Sequence, residues 1–193
     1  MEESLDERDD VFIVNLSLKD KEAFSVLISR YKDKLRRYIR RLTSLSPDYV
    51  DDILQEVFIK TYINLNGFDQ SLSFSSWIYR IAHNETISYF RKNKKHIEAT
   101  NLIDDEDLDI FASEISVEKE IYKSHFNKVF TESLNELPEK YKSVLVLKFI
   151  EGKDYDTISD ILQKPPGTIA TWISRSKNDL KKILDKKGIK EYE

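Results

Sequence analysis

Cysteine is absent from this 193-residue chain. Disulfide frameworks, thiolate metal sites and cysteine nucleophiles are thereby excluded. Glycine and proline are scarce, four of each, so few positions break a helix or force a tight turn. No apolar run approaches bilayer-spanning length. The opening stretch, MEESLDERDD, is acidic and polar, the opposite of a secretory leader. Neither export nor membrane insertion is expected, and the cytoplasm is the expected location. The three histidines, His83, His96 and His125, lack the spacing of a metal site, and neither a phosphate loop nor a nucleophile motif occurs. No metal, cofactor or catalytic residue is expected, and an enzyme is the least supported class.

What the chain does contain is charge, 34% of its residues, and hydrophobic side chains, 40%. The net charge of −4 divides unevenly. Residues 1–18 carry six acids against one base, and residues 98–120 nine acids against one base. Residues 19–97 carry fifteen bases against nine acids, and residues 121–193 fourteen against eleven. Two mildly basic blocks thus flank an acidic segment, and local rather than total charge governs binding to a polyanion.

Apolar periodicity predicts helices throughout. A short helix is expected over Leu5 to Leu16, with Asp20 as the next cap. A long amphipathic helix then places Phe24, Leu27, Tyr31, Leu35, Tyr38 and Leu42 on one side and Arg30, Lys34, Arg37 and Arg41 on another. Ser46-Pro47 starts a third helix, with Val50, Leu54, Val57, Tyr62 and Leu65 expected inward. Asn66-Gly67 ends it, a polar loop comes next, and a fourth helix covers about Phe74 to Lys94. Residues 96–116 lose the helical period and hold Asp104-Asp105-Glu106-Asp107, the composition of a linker. A second helical block runs from about Val117 through Leu137. Pro138 opens the next helix, with Tyr141, Val144, Leu145, Leu147 and Phe149 as core candidates, and Gly152 closes it. Asp154 caps a short helix, Gln163-Lys164-Pro165-Pro166 makes a turn, and a last helix runs to about Lys186. The expected fold is all-α: two small helical domains, 1–96 and 118–193, joined by an acidic linker over 97–117.

Three constellations stand out. The short helix, turn and long helix at the C-terminal end have helix–turn–helix order, in which the second helix enters the major groove. With Ile169 and Ile173 inward, Thr168, Thr171, Trp172, Ser174, Arg175, Lys177 and Asn178 populate its other faces. On the fourth helix Arg80, Asn84, Ser88 and Arg91 form a polar stripe beside the loop aromatic Phe68, a combination suited to opened single-stranded DNA. On the third, Asp52, Gln55, Glu56 and Ile59 share a face that suits a basic partner helix. Taken alone, the last two are better explained as plain solvated helix faces.

In this order and spacing the segments Ala23-Phe24 through Tyr31, Asp52-Ile53-Leu54-Gln55-Glu56-Val57-Phe58 and Phe74 through Asn84 resemble the extracytoplasmic-function sigma factor family. The same is true of Leu137 through Tyr141, of Glu151-Gly152 with Tyr155 through Ile158, and of Gly167-Thr168-Ile169 leading to Arg175. The resemblance implies a region-two domain succeeded by a region-four helix–turn–helix domain, and hence a specificity subunit of RNA polymerase. It implies that Asp52, Gln55, Glu56 and Phe58 dock on the clamp helices of the largest polymerase subunit. Phe68, Arg80, Asn84, Ser88 and Arg91 would then hold the melted minus-ten element. Thr168, Thr171, Trp172, Ser174, Arg175 and Lys177 would read the minus-thirty-five duplex. Further implied partners are the flap of the second-largest subunit and an anti-sigma factor. Ala170 and Trp172 stand where the family commonly has basic residues, and Pro165 replaces a more usual cap, so the promoter sequence cannot be borrowed. The competing reading is a stand-alone helix–turn–helix regulator, which leaves residues 1–96 without a task and would bind operators without core polymerase.

Overall fold

The computed structural model describes residues 5–43, 45–97 and 120–189. These fall into two compact units, the first holding the helices through Ile97 and the second most of the chain beyond Glu120. Of the linker expected over 97–117, residues 98–117 lie outside the described residues, and Ile97 ends the fourth helix instead. Every regular element among the described residues is helical.

The first unit has four α-helices: α1 (Asp10–Ser17), α2 (Phe24–Thr43), α3 (Pro47–Ile63) and α4 (Phe74–Ile97). The single helix expected from Leu5 is divided, a 3-10 turn at Leu5–Glu7 preceding α1. Asp9 makes the break, its carboxylate accepting from the Phe12 N–H at 2.7 Å and starting the helix there. Asp20 similarly caps the 3-10 turn that leads into α2. Ser46 occupies the cap of α3, yet its hydroxyl makes no capping bond, and Pro47 sets the first turn. Leu27, Tyr31, Leu35, Tyr38 and Leu42 of α2 are buried, together with Val50, Ile53, Leu54 and Val57 of α3 and Phe74, Ile78 and Ala82 of α4. Tyr62 departs from expectation. It is 43% exposed, and Thr61 is buried in its stead. The Thr61 hydroxyl donates to the Val57 carbonyl at 2.7 Å, which satisfies a polar group in the core and lets a β-branched side chain fill the inward position.

The second unit comprises α5 (Glu120–Glu136), α6 (Glu139–Leu145), α7 (Tyr155–Leu162) and α8 (Pro166–Lys186). Leu134, Leu137, Tyr141 and Leu145 form its buried centre, with Phe130, Trp172, Leu180 and Ile183 packed against it. Lys187 clasps α5, its ammonium 2.8 Å from Glu136 and 3.4 Å from Glu132. Phe149, expected in the core, is 43% exposed. The chain continues α6 as a π-helical turn over Val146–Ile150, in which the Glu151 N–H reaches back five residues to the Val146 carbonyl. The added residue per turn slips the helical phase, and Phe149 leaves the inward stripe. Asp154 caps α7 by accepting from the Thr157 N–H at 2.7 Å. Asp154→Ala is expected to cost about 1 kcal/mol of second-unit stability, read by chemical denaturation.

Candidate functional site

Helix α3 presents Asp52, Gln55 and Glu56 to solvent on one face. Its neighbour Asp51 is engaged, accepting from Arg36 Nε at 2.8 Å, whereas Asp52 and Glu56 form no ion pair with a described residue. The Asp52 charge is felt nearby: burial first, then Asp52, push the Tyr89 phenol above its ordinary range. Phe58 is buried and does not share this face. It lies instead among the lining residues of a shallow apolar groove, with Phe24, Ile28, Ile59, Tyr62 and Ile63. Phe24 and Tyr62 meet edge to face at 5.1 Å, and Ile63 is 71% exposed. The acidic stripe and the groove adjoin through Glu56 and Ile59, one turn supplying charge and the next apolar area. The exposed apolar residues at 59, 62 and 63 share one side of α3, a signal that assigning Tyr62 to the core concealed.

Helix α4 exposes Asn84, Ser88 and Arg91 and leaves Arg80 half-buried, so the four expected residues share a surface. Lys60 on α3 holds Glu85 at 2.6 Å, which ties the first half of α4 to its neighbour. His83 is hydrogen-bonded through Nδ1 to the Tyr38 hydroxyl at 3.0 Å, and burial lowers its pKa to about 4. It is therefore neutral at physiological pH and supplies no cation. Phe68 departs from the expected role of an open stacking platform: it is buried, 5.5 Å from Phe74 and 5.1 Å from the half-buried Trp77, ring centre to ring centre. Three mutually packed rings bury more apolar area than a lone exposed one, so Phe68 anchors the loop from inside. The loop beyond it is polar and exposed, and Asp69 accepts from the Ser71 N–H at 2.9 Å and hydroxyl at 2.7 Å. These bonds hold the Asp69 carboxyl below its usual range.

In the second unit, α7 and α8 are joined by a short turn in which Gln163 takes the left-handed conformation (φ 52°). The turn is closed by the Ser159 hydroxyl donating to the Lys164 carbonyl and by the Lys164 N–H donating to the Ser159 carbonyl at 3.2 Å. Ile169, Ile173 and Ser176 point inward. Thr171, Ser174, Arg175 and Asn178 are exposed and, at steps of three, one and three, share the outward face. Thr171 spends its hydroxyl on the Gly167 carbonyl at 2.8 Å, and Thr168 is half-buried. Trp172 packs towards the Leu134–Tyr141 cluster, with the Lys140 ammonium 5.7 Å from its ring. The Lys177 ammonium lies 5.7 Å from the Phe149 ring. The geometry thus brings Thr171, Ser174 and Arg175 together and draws Trp172 and Lys177 to the sides.

Among the described residues no group of three or more His, Asp or Glu side chains could hold a metal ion, and no helix is long and apolar enough to cross a membrane. The family Sigma-70 region 2 matches residues 27–96, and the family Sigma-70, region 4 matches residues 128–180. The ECF RNA polymerase sigma factor SigW of Bacillus subtilis is 33% identical over 171 residues, covering 86% of this chain and 90% of the relative. The ECF RNA polymerase sigma-E factor of Haemophilus influenzae is 29% identical over 174 residues, covering 88% and 91%. Among solved structures the fold is similar to CnrH in complex with the cytosolic domain of CnrY (TM-score 0.66, 19% identity, 91% of this chain and 97% of that one). It is also similar to the sigma factor RpoE in complex with the anti-sigma factor NepR from Bartonella quintana (TM-score 0.62, 22% identity, 84% and 96%).

Proposed function

This chain belongs to the extracytoplasmic-function RNA polymerase sigma factor family, and from that premise we propose how its surfaces divide the work of directing promoter-specific transcription initiation. The α3 stripe of Asp52, Gln55 and Glu56 docks on the clamp helices of the largest polymerase subunit, with the adjoining groove over Phe58 receiving an apolar side chain of that partner. Charge sets orientation and encounter rate there, and the groove adds desolvated area at the centre of the contact. Helix α4 and the 68–73 loop hold the opened minus-ten strand. Arg80 and Arg91 meet phosphates, Asn84 offers amide bonds to an unstacked base, and the buried Phe68 supports the loop that frames it. Helix α8 reads the minus-thirty-five duplex through Thr171, Ser174 and Arg175, while the second unit as a whole contacts the flap of the second-largest subunit. An anti-sigma protein that covers these surfaces is the expected inhibitor, and all of this takes place in the cytoplasm.

The observation that carries this reading is the coexistence in one chain of an exposed acidic stripe, without an ion pair among the described residues, beside an apolar groove, a basic polar helix beside a braced loop, and a helix–turn–helix. The decisive experiment is run-off transcription with purified core polymerase on genomic fragments and a promoter library. Initiation at defined sites only when this chain is added supports the reading, and silence on every template refutes it. A narrower test concerns Arg175, exposed on the outward face of α8. Arg175→Ala is expected to weaken promoter binding by about 1–3 kcal/mol and to relax selectivity at a single minus-thirty-five position. A uniform loss across all promoter variants would assign Arg175 to a phosphate.

A further inference from the structure

Helix α1 reaches the loop between α3 and α4 by two separate routes. The first is polar. Asn15 Nδ2 donates to Gln70 Oε1 at 3.2 Å, and Gln70 Nε2 donates to Asn15 Oδ1 at 2.7 Å. Two amides that each give and accept close a ring, so a small displacement of the loop breaks both bonds together. The second route is aromatic. Asp10, at the start of α1, accepts from the Tyr31 hydroxyl and from Arg30 Nη1 at 2.8 Å. The other terminal nitrogen of Arg30 donates to the carbonyls of Leu5 and Arg8 at 2.9 and 2.6 Å. The Tyr31 ring meets Phe74 edge-on at 5.6 Å, and Phe74 meets Phe68, where the loop begins, at 5.5 Å.

Between these anchors the loop has an internal restraint, the turn in which Asp69 accepts from Ser71 and the Leu72 N–H donates to the Asp69 carbonyl at 3.0 Å. The core holds Phe68, but Gln70 at the exposed tip is held by α1. Asn15 and Gln70 are both exposed, so the pair adds little to global stability; its effect lies in what it keeps still. A loop that must receive an unstacked base in a shaped recess discriminates only while its geometry is maintained, because the contacts that select one base depend on fractions of an ångström.

We propose that α1 is a positioning element for strand capture, the Asn15–Gln70 amide pair holding the 68–73 loop in the conformation that receives one base of the opened strand. This rests on the reading of that loop as strand-binding, and extends it by giving a part in promoter selectivity to a helix that no nucleic-acid contact had claimed.

The test uses the full chain with core polymerase and a promoter set substituted at each minus-ten position, with open-complex formation as the readout. Asn15→Ala and Gln70→Ala are each expected to flatten the preference at one position by about three- to tenfold, with thermal midpoints unchanged. The double variant is expected to be no worse than either single one. The exchange Asn15→Gln with Gln70→Asn, which keeps the summed side-chain length, is expected to recover most of the preference. A uniform loss over all promoters, with no position singled out, would overturn the positioning role. So would an unchanged profile in both alanine variants when Asp69→Ala, which breaks the turn itself, flattens it. Replacement of residues 69–72 by glycine and serine separates the two levels: an unchanged profile there sinks the strand-binding reading of the loop, and the inference about α1 with it.

Discussion

Reversing Asp52 and Glu56 together, as Asp52→Lys with Glu56→Lys, is expected to reduce affinity for core RNA polymerase about a hundredfold, or roughly 3 kcal/mol. The direction comes from their environment. Both carboxylates are exposed and neither is held by a cation among the described residues, so both are available to a basic partner helix; reversal converts each attraction into repulsion. The adjacent Asp51 serves as an internal control. It is engaged by Arg36 at 2.8 Å within the unit, and Asp51→Ala is expected to leave core binding within about threefold while loosening an exposed ion pair worth under about 1 kcal/mol. The double reversal alters no buried contact, so helical content and thermal midpoint should be retained. Affinity measured by titration of labelled core polymerase at two salt concentrations checks both points: the difference between native chain and variant should shrink as salt rises. Equal affinities at low salt would remove the clamp-docking assignment, whatever the promoter experiments showed.

Lys142→Met is expected to stabilise the second unit at neutral pH and to flatten its pH dependence. Lys142 sits on α6 within a continuous buried stretch, Tyr141 to Leu147, and its ammonium is hydrogen-bonded to Asn135 Oδ1. Burial lowers its pKa from 10.5 to about 7. The sign is fixed by that direction. Between pH 7 and 10.5 the unfolded chain carries a proton that the folded state lacks, so stability rises with pH across this window, by up to about 5 kcal/mol. Below pH 7 both states are protonated and the contribution is flat; above 10.5 both are neutral and it is fully present. Methionine keeps the aliphatic length without the charge, and Asn135 lies on the exposed surface. At pH 7 the gain should be about 2–3 kcal/mol, or on the order of ten degrees in the midpoint of a small domain. Melting curves of the full chain from pH 6.5 to 10, with hydrogen exchange at the α6 amides to locate the effect, provide the check. A variant that melts with the same pH slope as the native chain would mean that Lys142 keeps its proton in the folded state.

Lys142 also marks a limit of legibility. The sequence shows a lysine in a helix beginning at Pro138, and lysines on helices normally face water; only the packing of α5 and α8 around α6 puts this one inside. The same holds for the aromatic residues. Trp172 stands where a basic residue is common in the family, and its sequence neighbours suggested a contact to DNA. The structure draws it towards Leu134, Leu137 and Tyr141, leaving Thr171, Ser174 and Arg175 as the outward group. Phe68 in a polar loop suggested a stacking platform, yet it is the buried foot of that loop. Tyr62 and Phe149 erred in the other direction, expected inside and found exposed. Large amphipathic rings gain from burial and tolerate exposure, so their periodic spacing constrains their side less than that of Leu or Ile. At Phe149 the i to i+5 turn shifts the phase of the helix itself, which no 3.6-residue pattern announces.

By itself the sequence determined the helical class, the two helical blocks, the starts of α3, α4, α6, α7 and α8, and the family through the order of its motifs. These are local properties: apolar spacing within about twenty residues, a capping carboxylate, a proline in a first turn. The tertiary structure alone decided which rings are buried, that Asp51 is engaged by Arg36 while Asp52 is exposed and meets no cation among the described residues, that Ile59, Tyr62 and Ile63 line a groove, and that Asn15 meets Gln70 across 55 positions of chain. Each of these depends on two elements distant in sequence arriving at one place. Periodicity records which side of a helix is apolar, but not what that side will meet.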